Sequence, residues 1–338
     1  MSKRHSGSII NQQVLARQLG VSQMTISRVL NDRPGVSQAL KNKISAAIAK
    51  SDYIPDHIAV GLRINSTHVI GLIIPDVSNS FFPEITEKIE NGAKEKGYRV
   101  ILSHSYESYI QECKEINLLR GYRVDGFIIA PAGNQNEIEI YEKLQKLEIP
   151  FVFIDRIKKK IDCSYVISDT GAGALKIGRY LLKKGYRKWG YLRGPRGVSS
   201  SEEHLKGLQK SLKEAGRSSD IITSVRAGFS SKDGYRATKE LLNKIKPDVI
   251  IAVNDPVAIG AYRFLKKEKV KVPEEVGLVG FSDLSFVDIL DVPLTTVRES
   301  TADIGRIAIE ILLKEISDSE REKQQILLAP KLIARASA

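Results

Sequence analysis

Gln23, Met24 and Arg28 fall within six residues of one another, in the stretch "SQMTISRVLN", with Ile26, Val29 and Leu30 interleaved. A glutamine can make two hydrogen bonds to an adenine edge and an arginine two to a guanine edge, each pair worth roughly 1–3 kcal/mol of base discrimination. Met24 offers only apolar contact, for example to a thymine methyl. Ser22, Thr25, Ser27 and Asn31 are short polar residues of the kind that hold phosphates or cap helices, which fixes register without reading sequence. The chemistry open to this cluster is recognition of base edges. Bond-making chemistry has no comparable constellation: there is no GxxxxGK[ST] and no HExxH, neither Cys113 nor Cys163 has a histidine beside it, and the five histidines fall in no metal-ligand spacing. No catalytic set, metal or cofactor is therefore expected. "DTGAGALKIG" (169–178) follows a strand pattern but lacks the third glycine of a dinucleotide loop, and reads as a helix capped by Asp169. Lys158, Lys159 and Lys160 read as solvated charge on a surface loop.

Two short helices must position the reading residues. Asn11 can cap the first, whose apolar positions Val14, Leu15 and Leu19 share one side, with Ala16 small enough for a second helix to cross close by. Gly20 supplies the turn. Ser22 can cap the second helix, turning Ile26, Val29 and Leu30 inward and Gln23, Met24, Ser27 and Arg28 outward. Such a pair is a helix-turn-helix, whose second helix enters the major groove by its N-terminal end. An ordinary helical hairpin shares the bare pattern. A third helix from Val36-Ser37 through Ile44, Ala47 and Ile48 closes the small core.

Charge agrees with a polyanion partner, although a solubilising basic tail would share this composition. Of a net charge of +12, residues 1–66 hold half, with nine basic residues against three acidic. At 42% hydrophobic and 27% charged the chain is an ordinary globular composition. The sequence has no run of about 18 apolar residues with which to span a bilayer. The opening residues lack the apolar stretch of a signal peptide, and two cysteines do not point to an oxidising compartment, so the cytoplasm is the expected location.

Beyond residue 66, short β-branched runs alternate with amphipathic helical segments: Val69–Ile74, a helix from Pro83 to Lys96, Arg99–Leu102, Gly126–Ile129. A second series opens near Trp189–Arg193 and continues through Ile221–Arg226, Asp248–Val253 and Gly277–Gly280. That rhythm predicts parallel, doubly wound sheets in two lobes, with a ligand cleft outside the carboxyl ends of the strands.

"LARQLGVSQMTISRVLNDRPGVSQ" resembles the headpiece of the LacI family of bacterial transcription regulators. The resemblance continues through "YIPDHIAVGLR" (53–63), "VIGLIIPDVSNSFF" (69–82), "VFIDR" (152–156), "IIAVNDPVAIGA" (250–261) and "VGLVGFSDLSFVDILDVPLTTVRES" (276–300) in family order. It implies a small all-α helix-turn-helix DNA-binding domain (9–54), a hinge (55–66) and an α/β periplasmic-binding-protein-like effector and dimerisation domain (67–338). Within the last, an N-lobe over about 67–167 and a C-lobe over about 168–294 are expected, with the chain crossing back over 295–338. The implied function is a regulator, expected to be a repressor, that binds a palindromic operator in double-stranded DNA as a homodimer, with no membrane. Its gate would be a small-molecule effector between the lobes, or a protein corepressor. A cytosolic solute-binding protein on the same lobes, with an incidental basic N-terminus, is the alternative.

The hinge has its own logic. Pro55 breaks the third helix, and Asp56 can cap a short helix through Ala59 and Leu62. So short a helix is unstable alone, and Gly61 costs it about 1 kcal/mol more, so it forms only when something holds it. A plain flexible linker fits the same residues. The resemblance implies paired hinge helices over the minor groove, with Leu62 wedged between base pairs. Val60 stands where many relatives carry Arg.

By motif position the resemblance places effector contacts at Ser80, Phe81, Phe82, Asp155, His204, Asn254 and Ser282, with Asp283 as a neighbouring acid and Phe229 as a stacking platform. His204 replaces an Arg that commonly grips the ligand, and Ser282 an Asp that commonly accepts ligand hydroxyls. Loss of that cation and carboxylate together counts against a simple sugar.

Overall fold

The computed structural model describes residues 12–30, 33–51, 66–77, 80–218, 221–318 and 320–338. The chain divides into two compact units, one up to Thr67 and one from His68 to Ala338.

In the first unit, helices α1 (Gln12–Leu19), α2 (Gln23–Leu30) and α3 (Gln38–Lys50) enclose Leu15, Ala16, Ile26 and Ile44. Gly20 takes φ +65°, open to glycine at no steric cost, and lets Val21 N–H bond back to Ala16 O at 3.0 Å. Ser22 caps α2, accepting from Thr25 N–H at 3.1 Å, and Ser37 caps α3 through Leu40 N–H. Val14, expected inside, is exposed, while Leu15, expected beside it, and Ala16, expected at the helix crossing, are buried. The cap expected of Asn11 lies outside the described residues.

The second unit holds two parallel sheets. One has the order β11-β5-β4-β3-β1-β2, built from β1 (Val69–Ile74), β2 (Arg99–His104), β3 (Gly126–Ile129), β4 (Phe151–Ile154), β5 (Ser164–Ser168) and β11 (Gln325–Leu328). Its central strands are apolar on both faces because helices cover both. Helices α4 (Phe82–Glu95) and α11 (Thr301–Ser317) pack Ile85, Ile89, Ile309 and Leu312 on one side. Helices α5 (Tyr109–Gly121) and α6 (Glu139–Lys146) pack Ile116, Leu119, Ile140 and Leu144 on the other.

The other sheet has the order β7-β6-β8-β9, from β6 (Trp189–Arg193), β7 (Ile222–Arg226), β8 (Val249–Ala252) and β9 (Gly277–Val279). Helices α7 (Thr170–Lys184) and α8 (Ser199–Glu214) pair with each other, as do α9 (Ser231–Lys244) and α10 (Asp255–Lys267). At the α7/α8 crossing a Cβ on Gly207 would lie 2.3 Å from Gly171 O, so only glycine permits this approach. Asp169 caps α7, accepting from Ala172 N–H at 2.8 Å.

The chain passes between the lobes after β5, after β10 (Thr296–Arg298), and between β11 and β12 (Lys331–Ile333), with β10 and β12 paired antiparallel. These crossings bring strand ends from both lobes together, which is where the cleft forms. The basic run departs from its expected solvated state: Lys159 and Lys160 are exposed, but Lys158 is buried and its ammonium donates to Asn134 O at 2.6 Å and to Ala132 O. Burial lowers its pKa to about 8. Among the described residues no helix is long and apolar enough to cross a membrane.

Candidate DNA interface and inter-lobe cleft

The start of α2 presents its polar side to solvent. Ser22, Gln23 and Arg28 are exposed, and Met24 is 65% exposed, an unusual state for so large an apolar side chain. Thr25 and Ser27 are half-buried, and the hydroxyls of Ser22 and Thr25 lie 2.9 Å apart. Arg28 reaches forward to the loop after α2, so that a Cβ on Gly35 would meet its guanidinium at 3.3 Å. Between residues 12 and 51 the sequence carries six basic residues and a single acid, Asp32. This face has exposed hydrogen-bonding groups, positive charge and an oriented helix N-terminus, the set needed to approach phosphates and base edges. Asn31, Ala59 and Leu62 lie outside the described residues.

The second unit brings six of the expected effector residues, Phe81, Phe82, Asp155, Phe229, Asn254 and Ser282, around one cavity of about 50 Å³. Each arrives at the carboxyl end of a strand or in the turn that follows one, the position at which open α/β sheets leave a crevice. Asn254 caps α10, accepting from Val257 N–H at 2.9 Å, and its amide donates to Phe229 O at 3.0 Å. Three non-glycine residues at the cavity or beside it take positive φ: Asp155 (63°), Ser282 (123°) and Asp283 (55°). Each costs on the order of 1–3 kcal/mol, and such strain gathers where a site must hold a side chain in one direction.

Three of the expected residues stand elsewhere. His204 is fully buried behind the cavity, stacked on Tyr191 at 5.2 Å between ring centroids and against the edge of Phe281 at 5.0 Å. Burial lowers its pKa to about 3, so it is neutral and replaces no cation. Asp283 is turned away and held by Arg298 at 2.6 Å and Arg335 at 2.7 Å. Ser80 is exposed and does not line the cavity.

The missing cation and acid come from two residues that motif position did not suggest. Arg156, next to Asp155, lines the cavity with only 6% of its side chain exposed. It makes a bidentate bond to Glu107 (2.6 and 3.1 Å), donates from Nε to Asp155 at 2.8 Å, and lies 5.1 Å over the Phe229 ring, so one face of that platform is taken. Burial works against its charge, but the two carboxylates outweigh it and hold it protonated. Glu299, just past β10, lines the same cavity and accepts from Ser282 Oγ at 3.0 Å. Burial, reinforced by the nearby Asp155 and Asp255 carboxyls, raises its pKa to about 8. The available signal was local: both "VFIDR" and "TTVRE" carry charged residues at the carboxyl end of an apolar strand, where open α/β sheets leave their crevice. Asp255, also raised to about 6 by burial, is structural, accepting from Leu284 N–H at 2.9 Å and Thr296 Oγ1 at 2.7 Å.

Comparison with known proteins places this architecture. The model of bacterial regulatory proteins of the LacI family matches residues 14–56, and that of periplasmic binding proteins and the sugar-binding domain of the LacI family matches residues 67–336. The ribose operon repressor of Halalkalibacterium halodurans is 30% identical over 95% of this chain and 95% of its own. A crystal structure of the lac repressor dimer bound to operator and the anti-inducer ONPF superposes with a TM-score of 0.87 at 24% identity, over 98% of this chain and 99% of that one. A LacI-family regulator from Enterococcus faecium with bound ribose gives a TM-score of 0.70 at 26% identity, over 80% of this chain and 98% of that one. The exposed face of α2, the two-lobed unit and these matches agree: the chain belongs to the LacI family of bacterial regulatory proteins, and is a DNA-binding transcription regulator, not an enzyme.

Proposed function

We propose that this protein is a cytoplasmic repressor that binds a near-palindromic operator as a homodimer and is gated by a small molecule in the inter-lobe cleft. The observation that carries the reading is the outward face of α2, where Gln23, Met24 and Arg28 are exposed above a closed apolar core. In this reading those three address base edges, while Ser22, Thr25, Ser27 and Asn31 hold phosphates. The helix pair forms the headpiece, the segment containing Ala59 and Leu62 is the hinge that opens the minor groove, and residues 67–338 bind effector and dimerise.

A second copy of the chain is supported by an apolar edge in the larger lobe. β2 is one of the two edge strands of its sheet, and Ile101, Tyr106, Ile110, Leu118 and Tyr122 on β2, α5 and their flanking turns are all exposed. Two-fold symmetry then places two headpieces on two half-sites. The relative bound to operator is itself a dimer. An effector that favours one angle between the lobes shifts the equilibrium between DNA-competent and incompetent dimers by its differential affinity for the two.

The test is selection of bound duplexes from a random pool by the full-length protein at moderate salt. A palindrome with a flexible pyrimidine–purine step at its centre supports the reading. Binding without enrichment, unchanged by added metabolite extract, overturns it and leaves the headpiece as a basic anchor.

A further inference from the structure

The cleft floor carries more carboxyl groups than cations. Arg156 is the only basic side chain among the described residues that line the cavity, and it is spent on Glu107 and Asp155. Asp283 has its own two arginines and does not enter the balance. Glu299 remains: among the described residues no basic side chain pairs with it, and its neighbours are the Ser282 hydroxyl, the hydroxyl of Ser168 and two further carboxyls, Asp155 and Asp255. Phe81 and Phe82 present aromatic rings to the same cavity, with centroids 5.2 Å apart. Carboxyls facing aromatic rings in a desolvated pocket are the chemistry that recognises an organic cation.

We propose that the cleft selects an effector bearing a protonated amine, seated between Asp155 and Glu299 and against the rings of Phe81 and Phe82, over a neutral sugar. The inference rests on the reading of this cleft as the effector site. A neutral polyol would leave the excess of carboxyls without a counter-charge. An ammonium group supplies it, and its arrival lets Glu299 give up the proton that burial among Asp155 and Asp255 makes it keep to about pH 8. Asp155, itself raised by burial with Arg156 opposing, faces the same charge. Binding therefore releases a proton, and affinity rises as pH approaches that value while the ligand amine stays charged. At about 50 Å³ the cavity is too small for a ligand of this kind, so binding must part the lobes or move an aromatic side chain, and parting the lobes couples it to lobe angle.

The experiment uses the full-length protein and matched probes: D-glucosamine against D-glucose, D-galactosamine against D-galactose, putrescine against 1,4-butanediol, with D-ribose alongside. Thermal unfolding screens them and titration calorimetry follows any that bind. The expected result is that an amine stabilises the protein, its neutral counterpart does not, and affinity tightens from about pH 6 to about pH 8. Glu299→Gln, which keeps the shape, should weaken the amine about tenfold or more and remove that pH dependence. Should the variant fail to fold, the pH dependence of the unsubstituted protein decides. Neutral probes binding as tightly as amines, pH-independent amine binding, or silence from every amine each overturns the inference. A neutral sugar that also changes operator affinity overturns the charge preference alone and leaves the cleft as the gate; operator binding indifferent to every metabolite extract removes the gate itself.

Discussion

The outer face of α2 and the wall of the cleft both recognise something, but their side chains are held in opposite ways. Gln23, Met24 and Arg28 extend into solvent from one eight-residue helix, and their direction follows from the helical period and the Ser22 cap. In the cleft, the pair Asp155-Arg156 meets Glu107 from another segment, and Ser282 meets Glu299 from two more, each side chain held by a hydrogen bond to another in its set. An exposed face of this kind is completed by its ligand, because its polar groups are already solvated. A desolvated wall must first satisfy itself, since an unpaired buried charge costs several kcal/mol. The two regions should therefore respond differently to substitution.

The largest expected effect lies under the DNA face. Ile44 is one of only four buried apolar residues described in that small unit, and Ile44→Ala should remove about 2–5 kcal/mol, enough to unfold it. Calorimetry should then show the transition of the larger unit unchanged while operator binding is lost; retained binding would mean the unit draws stability from elsewhere. Arg28→Ala should cost roughly 1–3 kcal/mol and relax preference at one position per half-site, read by repeating the duplex selection. Unchanged preference with weaker binding would reassign Arg28 to phosphate.

His204→Phe tests the other side of the comparison. Neither ring nitrogen of His204 has a hydrogen-bond partner among the described residues, so a phenyl ring in its place should raise stability by about 1 kcal/mol. Effector response should persist, and its loss would return His204 to the site. A further signal concerns pH. Burial lowers the His204 pKa to about 3 from an ordinary value of 6.5, so its share of stability is complete above 6.5 and falls as pH drops toward 3. Glu299 runs the other way, its share complete below its ordinary value of 4.5 and lost as pH rises through about 8. Denaturation profiles of Glu299→Gln should accordingly lose less stability than the unsubstituted protein between about pH 5 and about pH 8. A parallel profile would show that Glu299 is solvated.

What could be read without coordinates was what local rules govern. Helix period, Ser22 and Ser37 as caps, Gly20 as a turn and the alternation of apolar strands with helices all act over a few residues, so the helix-turn-helix and the parallel sheets were legible. The face of α1 was the local exception: Val14, Leu15 and Leu19 span an arc wide enough that periodicity over eight residues does not decide that Val14 stands at its exposed edge. Lys158 shows the limit more sharply, because three consecutive lysines look equally solvated until the 132–134 loop offers one of them two carbonyls. Motif position led to Phe81, Asp155, Asn254 and Ser282 because strand ends fix where those residues stand. It did not show that His204 faces inward, that Asp283 is claimed by Arg298 and Arg335, or that Arg156 and Glu299 supply the cleft's charge. Those outcomes depend on which ionised group lies within a few ångströms of which other after the lobes are joined. Coulomb and desolvation energies vary over that distance, and spacing along the chain does not encode it.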